Sequence, residues 1–136
     1  MRIDKIVLHC SDSPHGRGDN AETIHHWHLE KNWSGIGYHF VITEEGDIEP
    51  GRPIYWTGAH VRGHNKNSVG ICLIGDHTFT DAQRSKLFTL IEALLADFPD
   101  ALVLNHRDLD PGKTCPNADL AGEFYLHLQA KKPLDS

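Results

Sequence analysis

His106 and Cys115 stand in the spacing His-x8-Cys within the stretch NHRDLDPGKTCP, and both side chains suit a borderline-soft metal ion such as zinc. Between them, Asp110-Pro111-Gly112 is a turn sequence, so the segment can fold back and bring the two together. Lys113 places a cation on the same loop. Two ligands do not make a catalytic zinc site, which takes about three protein ligands and keeps a further position open for water. Zinc held that way acidifies a water and polarises a carbonyl, the chemistry of a hydrolase. The third ligand must come from elsewhere in the chain.

His9 is the strongest choice, because of what precedes it. Ile3 to Leu8 is rich in Ile, Val and Leu and suits a strand buried on both faces. His9 stands where that strand opens into the polar turn around Ser11-Asp12-Ser13-Pro14. The run Ala101-Leu102-Val103-Leu104 reads as a second short buried strand, with His106 at its C-terminal end. A histidine so placed can be a ligand held by fixed backbone, or simply a hydrogen-bonded strand end. Cys10 should point away from His9 and be a buried, inert thiol. If the first and last strands lie side by side in a mixed sheet, His9, His106 and Cys115 form a His2Cys set with an open position. Lys113 or Tyr38 could then stabilise an oxyanion beside it. Taken alone, Tyr38 reads equally well as a half-buried core residue beginning a strand.

The elements that must position these residues are legible in order. Asn20 with Thr23 three residues on caps a helix running to Lys31, with Ile24, Trp27, His28 and Lys31 on one face. His25 and His28 stand three apart but lack a nearby third ligand; His25 and His26 read as solvated, His28 as packed or hydrogen-bonded. After a glycine-rich connection, Tyr38 to Thr43 and Ile48-Glu49 form a β-hairpin. Pro50 to Asn67 has no regular period and carries Trp56, His60, Arg62 and other cations and aromatics, which suits either a binding groove or an ordinary solvated loop. Val69 to Ile74 is another buried strand, with Cys72 a core thiol. Thr80 and Gln83 form a capping box for an amphipathic helix whose stripe is Leu87, Leu90, Ile91, Leu94, Leu95 and Phe98, ended by Pro99. Leu120, Phe124 and Leu128 mark a last helix, and the tail KKPLDS should fray. The expectation is an α/β fold over residues 1–136: one domain, with a mixed central β-sheet flanked by about three helices.

Composition narrows the function further. A 136-residue chain with 39% apolar and 24% charged residues is one globular domain. Its net charge of −6 gives no bulk attraction to nucleic acid or to an anionic membrane. No run approaches a membrane span, and MRIDKIVLHC is no signal peptide, because Asp4 and Lys5 interrupt its only apolar run. Three cysteines and no export signal fit reduced thiols in a cytosol rather than a disulfide framework.

Four stretches together resemble the zinc-dependent N-acetylmuramoyl-L-alanine amidases of the type 2 amidase and peptidoglycan-recognition-protein superfamily, most of all the small T7-type phage lysozymes. They are VLHCSDS, IHHWHLEKNWSGIGYHFVI, GAHVRGHNKNSVGICLIG and HRDLDPGKTCP, and they cover nearly the whole chain. The resemblance implies one zinc bound by His9, His106 and Cys115, catalysis served by Tyr38 and Lys113, and hydrolysis of the amide between the lactyl group of N-acetylmuramic acid and L-alanine. With it, Trp56, His60, Arg62 and Asn67 are expected to line the substrate groove. The expected partner is peptidoglycan, and the expected form a monomer in the host cytoplasm until lysis. T7-type relatives also bind RNA polymerase through a longer N-terminal extension. With eight residues before His9, this chain is not expected to share that role. A peptidoglycan-binding module without catalysis would normally lack the cysteine ligand. A muropeptide-recycling amidase would typically carry aspartate in place of Cys115.

Overall fold

Five strands form one sheet in the order β3-β2-β4-β1-β5 in the computed structural model, which describes residues 2–131. In chain order the elements are β1 (Lys5–Cys10), α1 (Ala21–Glu30), β2 (Phe40–Ile42), β3 (Ile48–Pro50), β4 (Ser68–Leu73), α2 (Asp81–Asp97), β5 (Leu102–Asn105), α3 (His106–Leu109) and α4 (Leu120–Ala130). β1 lies between β4 and β5 and is parallel to both; β2 is parallel to β4, and only β3 is antiparallel. The first and last strands are therefore neighbours, as the two candidate ligand strands require. β1 is apolar on both faces because both are covered.

Alternation along the strands divides the core in two. Ile6, Leu8, Cys10, Val69, Ile71, Leu73 and Ile42 face α2 and α4, which contribute Leu87, Ile91, Leu94, Leu120 and Phe124. Val41 and Cys72 face the other way, toward Ile24 of α1 and Ile36, and His9 shares that face through its register with Cys72. Both long helices on which sequence periodicity was strongest begin at capping boxes, Asn20 with Thr23 and Thr80 with Gln83. Gln83 is fully buried and also donates from Nε2 to the Ile74 carbonyl at 2.8 Å, tying α2 to the end of β4.

Two boundaries near the site differ from the sequence expectation, each for a local reason. β1 continues through His9 and Cys10, because both remain paired with Cys72 and Leu73 of β4. His106 does not end its strand but opens the one-turn helix α3; Asn105 donates its backbone N–H to Asp108 Oδ2 at 2.8 Å, a local bond that favours helix entry. The stretch after β3 has no regular structure, yet it is pinned at several points. Arg52 Nη1 donates to the Thr57 carbonyl (2.7 Å), Ala59 N to the Gly37 carbonyl (3.0 Å), and the N–H groups of His60 and Val61 both to Asn65 Oδ1 (2.8 Å each). In the expected tail, Lys131 caps α4 and pairs with Glu92; the remainder, 132–136, lies outside the described residues. Among the described residues, no helix is long and apolar enough to cross a membrane.

Candidate metal centre

His9, near the end of β1, and His106, the residue after β5, stand at the carboxyl ends of adjacent parallel strands. Their Nδ1 atoms stand 3.1 Å apart. Cys115 comes round from the loop beyond α3. That loop is closed by two backbone bonds, Arg107 N to the Cys115 carbonyl (2.9 Å) and Lys113 N to the Asp110 carbonyl (2.9 Å). Ligand atoms of His9, His106 and Cys115 all lie within 4.8 Å of one another. Tetrahedral zinc with bonds to nitrogen and sulfur spaces its ligand atoms by about 3.3–3.6 Å, so the set needs only small adjustments to close on the ion. The backbone N–H of Cys10 donates to Cys115 Sγ at 2.8 Å, which ties the sulfur to the end of β1. The donor set fits zinc.

Burial tunes these groups toward ligation. His9 is pushed well below the usual imidazole range, first by burial and then by the neighbouring His60 and His106, so it stays neutral. His106 is lowered by burial and by the Lys113 charge, against the opposing pull of Asp110. Lys113 itself is exposed, with its side chain free of hydrogen-bond partners among the described residues. Tyr38 lies with its ring 5.0 Å from His9, and burial, reinforced by the thiols of Cys72, Cys115 and Cys10, raises its phenol well above the ordinary value. The phenol therefore keeps its proton at neutral pH. The structure thus brings His9, His106, Cys115 and Tyr38 together, with Lys113 on the same loop as Cys115.

Two histidines of α1 hold the segment that delivers Tyr38. His25 Nδ1 accepts from the Ile36 N–H at 3.0 Å and His28 Nδ1 from the Gly37 N–H at 2.9 Å. His28 is packed and hydrogen-bonded as expected. His25 is not simply solvated, because the glycine-rich connection folds back onto its ring. Burial first, then Lys31, Arg52 and His25, lower His28 from 6.5 to about 4. Between those values the unfolded chain binds a proton that the folded one refuses, so stability present above pH 6.5 is lost as pH falls toward about 4. About 2 kcal/mol should go by this route on acidification, after allowance for solvent screening. Urea unfolding of wild type and His28→Asn across that window checks it: the variant should lose less stability, and equal slopes would remove His28 from the acid response.

The four residues expected to line a groove scatter. Trp56 is 57% exposed and forms one wall of a cleft of about 350 Å³ with Glu22, His25, Ile36, Arg52 and Pro53. Arg62 is exposed on the same loop. Asn67 precedes β4 at the amino end of the parallel strands, where its carbonyl takes the Asp4 N–H (2.9 Å); the metal ligands lie at the other end. His60 is only 9% exposed and sits behind His9, with its Nδ1 2.9 Å from His9 Nε2. Cys10 is buried as expected but not isolated. The loop carrying Cys115 wraps around the end of the sheet and brings the two Sγ atoms to 3.1 Å. Sequence reasoning also missed a crevice of about 110 Å³ that reaches Tyr38 between Ser11 and the residues Ile24, Trp27 and His28 of α1 with Lys31 at its C-terminal cap. The shared helical face of those four residues was the available signal.

Comparison with known proteins gives this geometry a lineage. The family model described as "Amidase_2: N-acetylmuramoyl-L-alanine amidase" matches residues 1–118. The endolysin of Escherichia phage T7 is 38% identical over 125 residues, which span 86% of this chain and 82% of that protein. Among solved structures, the endolysin N-acetylmuramoyl-L-alanine amidase LysCS from Clostridium intestinale URNW superposes with a TM-score of 0.85 at 28% identity, covering 94% of this chain and 84% of that one. A Drosophila PGRP-LB mutant in complex with tracheal cytotoxin superposes with a TM-score of 0.79 at 27% identity, over 90% of this chain and 79% of that one. A fold built to set two histidines and a cysteine at one end of a parallel sheet, matched over most of its length by these relatives, places this chain in the N-acetylmuramoyl-L-alanine amidase family.

Proposed function

We propose that this chain is a zinc-dependent peptidoglycan hydrolase of the phage endolysin kind, cutting the amide between the lactyl group of N-acetylmuramic acid and L-alanine. The observation that carries the reading is the convergence of His9, His106 and Cys115 within 4.8 Å in a chain of this family. The cysteine in that set favours intact wall over soluble recycling fragments as substrate. Zinc, when bound, supplies a Lewis acid that acidifies water and polarises the scissile carbonyl. The C–N bond breaks, water's oxygen joins the carbonyl carbon, and the L-alanine nitrogen leaves with a proton.

The chain's own residues divide the remaining work. His9, His106 and Cys115 hold the ion. Tyr38, kept protonated by burial, donates a hydrogen bond to the carbonyl oxygen as charge develops there, and Lys113 offers that oxygen a positive charge. Trp56 and Arg62 are exposed where a glycan or a stem-peptide carboxylate could meet them. The chain acts as a monomer on the wall, from inside the host cell. Incubation of purified protein with intact sacculi and with soluble muropeptides tests the proposal. The expected new ends are free L-alanine amino groups, released faster from sacculi and suppressed by chelation. New reducing sugars, or turnover confined to the soluble fragments, would refute it.

A further inference from the structure

His60 has both ring nitrogens engaged in a chain that starts at a proposed ligand. His9 turns Nδ1 toward His106 and Nε2 inward, 2.9 Å from His60 Nδ1; His60 Nε2 lies 3.0 Å from Ser68 Oγ. All three side chains are buried: His9 at 1%, His60 at 9% and Ser68 at 3% exposure. The slot around His60 is shaped for a ring. A Cβ at Gly70 would come within 2.6 Å of His60 Cγ, and one at Gly58 within 2.6 Å of His60 Cδ2. Side chains at either position would expel the imidazole. The backbone of His60 is pinned as well, since its N–H shares Asn65 Oδ1 with that of Val61.

The arrangement has a definite polarity once His9 serves as a ligand. A neutral imidazole carries one proton, so a metal donor at Nδ1 requires that proton on Nε2. His9 Nε2 then donates to His60 Nδ1. This leaves the His60 proton on Nε2, where it donates to the Ser68 hydroxyl. We propose that His60, backed by Ser68, is a positioning residue that fixes the ring orientation and tautomer of His9 and so sets the affinity of the metal site. It holds the ligand from behind and does not touch substrate. The inference rests on the zinc reading above and deepens it.

Zinc affinity, measured by competition with a chromophoric chelator, tests it on wild type, His60→Ala, His60→Asn and Ser68→Ala. His60→Ala should bind zinc about 10–100-fold more weakly, the usual cost of losing the partner of a ligating histidine. His60→Asn places an amide oxygen near the lost Nδ1 and should recover most of that affinity; Ser68→Ala should show a smaller loss. The cobalt-loaded proteins add a spectroscopic signature, with the visible bands shifted in His60→Ala and restored in His60→Asn. At saturating zinc, KM for peptidoglycan should be unchanged in His60→Asn. Wild type without zinc would sink the metal reading itself. Zinc-binding wild type with equal affinity in His60→Ala would overturn this inference alone. A folded His60→Asn as weak as alanine would overturn it too, by reducing His60 to packing, and a raised KM at saturating zinc would return it to the substrate groove.

Discussion

Cys115→Ala should lose zinc and peptidoglycan hydrolysis together while keeping its fold. The thiolate is the one negatively charged ligand in the set, and without it two neutral imidazoles remain, fewer than a catalytic zinc site uses. Cys115 lies half-buried on a loop at the end of the sheet and packs against the edge of the main core, whose buried residues come mostly from β1, β4, α2 and α4. Cys10 supplies the control, because its sulfur is only 3.1 Å from that of Cys115. Its role toward the site runs through its backbone N–H, which donates to Cys115 Sγ, and alanine keeps that group. Its thiol is held protonated, first by the hydrogen bond with Cys115 and then by burial. Elemental analysis should therefore find about one zinc per chain in wild type and Cys10→Ala, and a small fraction of that in Cys115→Ala. Circular dichroism would report the fold in each. Zinc and turnover retained in Cys115→Ala would move the ligand elsewhere; loss in Cys10→Ala alone would exchange the roles of the two thiols.

The sheet and the meeting of His9, His106 and Cys115 were legible because each rests on a strong local pattern. β1 and β5 announce themselves as short apolar runs; His9 directly follows Leu8, and His106 follows Leu104 with Asn105 between them. The capping boxes at Asn20 and Thr80 define both helix starts with two reciprocal hydrogen bonds apiece. What escaped is what depends on distance in the sequence. From its loop His60 reads as a groove-lining residue, and its burial is decided by Gly58, Gly70 and Ser68, whose meaning appears only when β4 lies beside β1. His25 looked solvated on a helix surface, and only the return of residues 35–37 covers it. Asn67 stands in the same polar loop as Trp56, yet the start of β4 carries it to the amino end of the sheet. Cys10 was placed correctly by alternation, but alternation says nothing about a loop wrapping past the end of a strand. Local periodicity finds elements and the residues at their ends; it does not find which side chains of different elements meet.

Holding the metal and stabilising the transition state should separate in Tyr38→Phe and Lys113→Ala. Addition of water to the amide carbonyl puts negative charge on its oxygen. A donor or cation aimed there lowers the barrier only to the extent that it binds the charged oxygen better than the neutral one. Tyr38 would meet the requirement through a phenol that burial keeps protonated, beside a crevice of about 110 Å³ that it helps to line. Lys113 would meet it from the loop that carries Cys115, where it is exposed and its charge helps to lower His106. Neither supplies a ligand atom to the His9, His106 and Cys115 group, so both variants should keep about one zinc. Removing the phenolic hydroxyl leaves the ring in contact with His9 and His28, so Tyr38→Phe should also keep its unfolding midpoint. Each should lower kcat about 10²-fold or more with a smaller change in KM, as for loss of one oxyanion donor. Steady-state kinetics on sacculi, with zinc content measured on the same preparations, give the answer. Near-normal kcat in both zinc-loaded variants would leave the metal as sole catalyst and strip Tyr38 and Lys113 of their roles; loss of zinc in either would make it part of the holding structure instead.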